Sequence, residues 1–198
     1  MRLVGPTQLR QQQSGHAIIE WLIVCLPIIW LGTLLVEVSE WHTTRQRLAL
    51  ATQRATTLAS LEGGQTAKVM SALIKHLPKD MRGALDVCVT DPVSDLMRDF
   101  KDQRLSQQLG FNVIRHDHVA EQHRQFVAKG WPAGQGPWSR RDISEANRLN
   151  VQVSLQRKPR SSWVGMMLPA IKIQTTHQAV MQSHRLENTR DCLQQTVP

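Results

Sequence analysis

The polar and apolar positions of this chain fall into two contrasting stretches. Residues 17–38 read AIIEWLIVCLPIIWLGTLLVEV, and between positions 21 and 36 no charged side chain interrupts the run. As a helix this block reaches about 33 Å at ~1.5 Å per residue, enough to cross a hydrocarbon core of about 30 Å. Pro27 and Gly32 are unfavourable in a soluble helix but tolerated in a membrane-spanning one, and Trp21 and Trp41 stand near its two ends, where indole rings favour the interface. A cleaved secretory signal has a shorter apolar region, ~7–15 residues, that ends at a small-residue site. This block ends instead in Glu37-Val38-Ser39-Glu40-Trp41. The pattern predicts one membrane-spanning helix over residues 16–40, preceded by a basic leader at 1–15.

Beyond the span the pattern changes to an amphipathic one. Residues 41–61 contain no Gly or Pro, and Trp41, Thr44, Leu48, Ala51, Ala55 and Leu58 recur at spacings of three and four, while Arg47 and Arg54 fall elsewhere on the wheel. The helix is therefore predicted to continue over 41–62 and to stop at Gly63-Gly64. Within residues 63–198, a short helix over 67–76 is stopped by Pro78, and residues 84–90 (ALDVCVT) alternate as a strand. A helix is expected over 93–109, with Asp91 as its N-cap and Gly110 as its stop. A second strand follows at 111–115, then a helix at 119–129 and a Gly/Pro/Trp-rich loop at 130–139 (GWPAGQGPWS). Residues 151–157 and 170–176 alternate well and form an expected antiparallel pair. The fold class this implies is α+β: a long N-terminal transmembrane and amphipathic helix followed by a small extracytoplasmic α+β domain with an antiparallel sheet.

Charge and cysteine content add constraints. The formal net charge is +8, with small basic groups at Arg140-Arg141 and Arg157-Lys158-Pro159-Arg160. No aromatic-rich RNA-binding signature or zinc-finger spacing accompanies them, so no nucleic-acid partner is expected. A domain facing anionic membrane lipid accounts for the charge more simply. Of the three cysteines, Cys25 lies in the span and reads as a small apolar residue. Cys88 and Cys192 are the pair outside it, which suits an oxidising compartment. A bridge between them would tie the C-terminal tail to the sheet, worth roughly 4–5 kcal/mol in the chain-entropy model; two free thiols are the alternative. Leader residues Arg2 and Arg10 face Arg45, Arg47 and Arg54 across the span, a weak Lys/Arg bias. The cysteine pair decides the orientation, with the N-terminus cytoplasmic and the C-terminal domain outside.

Candidate chemistry is sparse. His116-Asp117-His118 is followed by Glu121 and His123. His116, His118 and His123 are the candidates for a metal site, against a solvated turn, since no standard zinc spacing is met and no cofactor is expected. Trp131 and Trp138 could meet lipid, glycan or a partner, or pack within their own loop. There is no Walker A loop, G-x-S-x-G or H-E-x-x-H, so an enzyme is not expected.

Glu20 is the unusual residue of the span, an acid about one turn inside an apolar helix. It follows a polar, basic leader that ends Gln11-Gln12-Gln13-Ser14-Gly15, and it is the fifth residue past that glycine. This arrangement resembles the type IV pilin and pseudopilin signal. More narrowly, Ser14-Gly15-His16-Ala17-Ile18-Ile19-Glu20-Trp21-Leu22-Ile23-Val24-Cys25-Leu26-Pro27 resembles the opening of the TadE-like minor pseudopilins of tight-adherence (Flp-type, type IV) pilus systems. The likeness is strongest over residues 14–60, with a second one in the paired strands of residues 150–181. Residues 62–149 carry none. The resemblance implies that a prepilin peptidase cuts between Gly15 and His16 on the cytoplasmic face of a bacterial inner membrane. It implies too that Glu20 guides assembly by pairing with the freed amino group of a neighbouring subunit. The partners would be other pilins or pseudopilins, the pilus assembly machinery and membrane lipid. The rival readings are an unprocessed signal-anchored envelope protein whose outer domain binds a ligand or partner, and a membrane-tethered metalloenzyme using the histidine cluster.

Overall fold

The computed structural model describes residues 7–78, 81, 83–91, 94–188 and 192–197, and the side chains of these except 7–17, 83, 163, 167, 196 and 197. The first part of the leader, residues 1–6, lies outside the described residues. In chain order the elements are helix α1 (Thr7–Leu61), helix α2 (Thr66–His76), strand β1 (Gly83–Asp91), helices α3 (Ser94–Phe100) and α4 (Gln103–Leu109), strand β2 (Val113–Ile114) and helix α5 (Val119–Ala128). They continue with helix α6 (Ile143–Ala146), strand β3 (Arg148–Arg157), helix α7 (Ser162–Met167) and strands β4 (Ile171–Val180), β5 (Arg185–Leu186) and β6 (Cys192–Val197). The chain is thus an α+β protein with a long N-terminal helix and an antiparallel sheet. It divides into two compact units, residues 1–42 with 159–169, and residues 43–158 with 170–198.

The larger unit is built on a four-stranded antiparallel sheet of order β4-β3-β1-β6. Alternation along the strands decides its two faces. Leu85, Val87 and Val89 of β1 and Leu149, Val151, Val153 and Leu155 of β3 are buried together with Leu48, Ala51, Ala55 and Ala59 of α1 and Val69, Met70 and Leu73 of α2 in one core. The other face carries Asp86, Gln156, Lys172 and Gln194, which line a shallow polar hollow. A sheet with one covered and one wet face is what antiparallel pairing permits. On α1 the buried positions are small: Ala51, Thr52, Ala55, Thr56, Ala59 and Ser60 are all at most 3% exposed. Thr52 and Thr56 turn their hydroxyls onto the carbonyls of Leu48 and Thr52, so both of these buried hydroxyls are matched. Leu58, expected on this face, is 41% exposed.

Gly63 (φ +87°) and Gly64 (φ +68°) stop α1 in the left-handed region, as their sequence suggested. The expected helix over 93–109 is two helices. Asp102 breaks it: its side chain accepts from the Leu105 N–H and caps α4, while its own N–H donates to the Val113 carbonyl. Asp91, expected to cap that long helix, instead closes β1 and pairs with Arg141 at 2.5 Å; Val93 lies outside the described residues. Leu96, Met97 and Phe100 of α3 form a second small core with Ile114, Ile143 and Ala146. The strand expected over 111–115 shortens to two residues, paired with β5 rather than with the main sheet. The pair expected at 151–157 and 170–176 is present and longer, β3 against β4 from Arg148↔Val180 to Arg157↔Ile171.

Candidate functional site

The smaller unit holds the membrane segment. α1 starts at Thr7, ahead of Gly15, because residues 7–14 contain good helix formers and no Gly or Pro. Gly15 and His16 therefore lie inside the helix, and their side chains are outside the described residues. Glu20 is exposed, at the start of a helical surface on which Ile18, Ile19, Trp21, Ile23, Leu26 and Leu35 are between 56% and 71% exposed. A soluble protein does not leave so large a continuous apolar surface open to water. The helix is long and apolar enough to cross a membrane once. Cys25 is a free thiol in this stretch, and Gly32 faces open space: a Cβ there would meet nothing within 4 Å.

At the C-terminal end of the apolar stretch, Glu37 is 4% exposed. Its carboxylate accepts from the Trp41 indole N–H at 3.1 Å and from the Arg160 backbone N–H at 3.0 Å. The Arg160 guanidinium reaches Glu40 at 2.9 Å. A groove of about 410 Å³ runs from Ile29, Gly32 and Val36 to Glu37, Glu40 and Arg160. Sequence reasoning missed this arrangement. Glu37 and Glu40 signalled only a poor cleavage site, and nothing in the sequence linked them to a residue more than a hundred positions away.

The larger unit assembles three other sites. Cys88 and Cys192 face each other across β1 and β6 and form a disulfide that closes a sequence separation of 104. Tail and sheet are tied as the two cysteines suggested. The histidine cluster takes a different form from that expected. Among the described residues, His116, Asp117 and His184 bring ligand atoms within 4.8 Å of one another and could hold a metal ion. His118 and His123 do not join them. His118 adopts a left-handed conformation at the start of α5, and the His123 ring packs against Gly134. His184 enters because β5 pairs with β2. The two Nδ1 atoms share a hydrogen bond at 3.0 Å, and the Arg115 Nε lies 3.0 Å from Asp117 as an ion pair, without the geometry of a hydrogen bond. In the Trp loop, Trp131 stacks on Phe126 with ring centroids 4.7 Å apart and packs edge-on to Phe100. Trp138 covers Arg98 at 3.9 Å. Asp99 fixes the loop by accepting from the N–H groups of Trp138 and Ser139 and from the Ser139 hydroxyl. Gly136 touches that carboxylate so closely that a Cβ would overlap it.

Two charged groups have shifted equilibria. Arg185 is fully buried and donates to the carbonyls of Arg148 and Asp91. Burial pushes its guanidinium down to about 9, opposed by the Asp91 charge. Asp142 is raised by partial burial, but hydrogen bonds from the Ser144 hydroxyl and the N–H groups of Glu145 and Ser144, together with the His123 charge, outweigh that and hold it below the ordinary carboxyl value. Both are structural: Arg185 braces strand ends and Asp142 caps α6. No family model, curated protein or solved structure matches this chain.

Proposed function

We propose that this protein is a minor pseudopilin of a tight-adherence or related type IV pilus system, matured by a prepilin peptidase after Gly15 and acting in pilus assembly or priming rather than in catalysis. The observation that carries the reading is the division of labour along α1. One stretch of a single helix is an apolar surface open to lipid, with Glu20 near its start. A later stretch supplies small residues to the core of an α+β domain. A protein that must sit in a membrane and still present a folded domain to a fibre or its machinery needs both. Glu20 is then the residue that a neighbouring subunit's new amino group, created at His16, would neutralise. The proposed location is the bacterial inner membrane, with the leader cytoplasmic and the larger unit outside, and the Cys88–Cys192 disulfide supports that orientation.

The mature N-terminus tests the reading. The full chain is produced with and without an active prepilin peptidase, and its N-terminus is read by intact mass and N-terminal sequencing. A peptidase-dependent start at His16, lost in Gly15→Ala, is expected. A start at Met1 in both cases would leave a signal-anchored envelope protein whose outer domain binds a ligand or partner.

A further inference from the structure

We propose that residues 160–168 form a second membrane contact, an interfacial element that seats a phospholipid beside the C-terminal end of the span. The inference rests on α1 crossing the bilayer and on no other part of the pseudopilin reading.

The connection between β3 and β4 is not built like a solvent-exposed hairpin loop. Residues 161–169 read SSWVGMMLP, without a single charge, and fold in part as α7. Within this segment Val164 is buried at 2% exposure, whereas Met166 is 88% exposed, the most open large apolar side chain among the described residues, and Leu168 is 37% exposed. Loop tips in water are polar. An apolar tip that folds and still leaves Met166 and Leu168 uncovered needs a partner.

Its position in the smaller unit says which partner. Arg160 is tied through its backbone N–H to Glu37 and through its guanidinium to Glu40, so the segment begins at the residues that end the apolar stretch of α1. The depth of the segment is therefore set by the depth of Glu37, where the span leaves the hydrocarbon. The groove at this junction is amphipathic in the same sense as a phospholipid. Its wall is Ile29, Gly32 and Val36, and its rim is Glu37, Glu40 and Arg160. The open space at Gly32 leaves room for an acyl chain against the helix. On the rim the Arg160 guanidinium, paired with Glu40 on one side, keeps 77% of its side chain exposed and can also donate to a phosphate. A second copy of this chain would need a complementary surface; a bilayer is already present wherever α1 is inserted.

Site-specific fluorescence in vesicles tests the inference. Full-length protein is reconstituted into phosphatidylethanolamine and phosphatidylglycerol vesicles, with part of the lipid brominated in its acyl chains. An environment-sensitive thiol label is placed at native Cys25, or at Met166→Cys or Leu168→Cys in a Cys25→Ala background; the Cys88–Cys192 disulfide stays intact under non-reducing labelling. Leu109→Cys in the same background serves as the solvent-exposed control. The expected result is loss of fluorescence to brominated lipid at Cys25, Met166→Cys and Leu168→Cys, and none at Leu109→Cys. Quenching at Cys25 with an aqueous signal at both tip positions would overturn the inference and leave the span intact. Tip labels shielded from both brominated lipid and aqueous iodide would overturn it in favour of a protein partner such as a second copy. An aqueous signal at Cys25 would overturn the span and the inference with it.

Discussion

A buried arginine is the most demanding residue of the larger unit. Arg185 is fully inaccessible, and its Nε has no hydrogen-bond partner among the described residues. Taking a guanidinium out of water is costly unless its donors are met. Two of them are met by backbone carbonyls, Arg148 at 3.2 Å and Asp91, so the side chain joins the start of β3 to the end of β1. It also lies beneath the turn after α1: at Gly64, with φ +68°, a Cβ would come within 3.4 Å of its guanidinium carbon. Arg185→Ala removes both donors and opens a cavity. It is expected to destabilise the protein by about 2–4 kcal/mol, from unsatisfied carbonyls and lost packing. Arg185→Met, which keeps most of the volume, should fall between that variant and the wild type. Thermal unfolding of the detergent-solubilised chain, followed by circular dichroism, measures both. An Arg185→Ala midpoint equal to that of the wild type would show that the carbonyls find other donors. Nothing in the sequence marked Arg185, because an arginine in a polar stretch reads as a surface residue. His184 was invisible for a related reason: its approach to His116 depends on the two-residue pairing of β2 with β5, which no local pattern announces.

At the scale of elements, legibility followed periodicity. The span, β1 and the β3–β4 pair carry regular patterns and α2 has a clear stop at Pro78, and the sequence located each of them. The helix expected over 93–109 fails at Asp102, where a local cap overrides helix propensity, and α7, β5 and β6 are too short to show a period. On α1 the spacing identified the correct face but not its edge. Leu58 extends the three-and-four pattern, yet the sheet covers the side centred on Ala51, Ala55 and Ala59. Position on the helical wheel explains the difference. At about 3.6 residues per turn, the buried residues Leu48, Thr52, Ala55, Thr56 and Ala59 centre on one side of the wheel, and Leu58 falls at its margin. Ala55→Leu is accordingly expected to overpack the core and cost about 1–3 kcal/mol, whereas Leu58→Ala should change stability by less than about 0.5 kcal/mol. Comparing their unfolding midpoints tests this assignment of the face. A larger loss at Leu58 than at Ala55 would mean that Leu58 belongs to the buried stripe, as the sequence spacing suggested, and that Ala55 is not at its centre.

At the scale of the whole chain, the cysteines and the leader charges bear on a single choice, which side of the membrane each end occupies. The disulfide joins Cys88 to Cys192, and Cys25 remains free. Cytosolic thiols are kept reduced, whereas a pair delivered to an oxidising compartment closes. The number of reactive thiols in a denatured cell extract therefore reports topology. With the proposed orientation, the chain should take one mass-adding maleimide after acid quenching, at Cys25, and three only after reduction. The positive-inside rule counts Lys and Arg near the span, and the proposed orientation sets Arg2 and Arg10 on the cytoplasmic side against Arg45, Arg47 and Arg54 on the other. Because that balance is close, replacing both leader arginines, Arg2→Glu with Arg10→Glu, should invert a share of the molecules. That share would carry three reactive thiols without reduction. Three adducts on the wild-type chain in cells would place the larger unit in a reducing compartment and reverse the proposed topology. One adduct on both chains would show that the span is oriented by something other than the arginines of its leader.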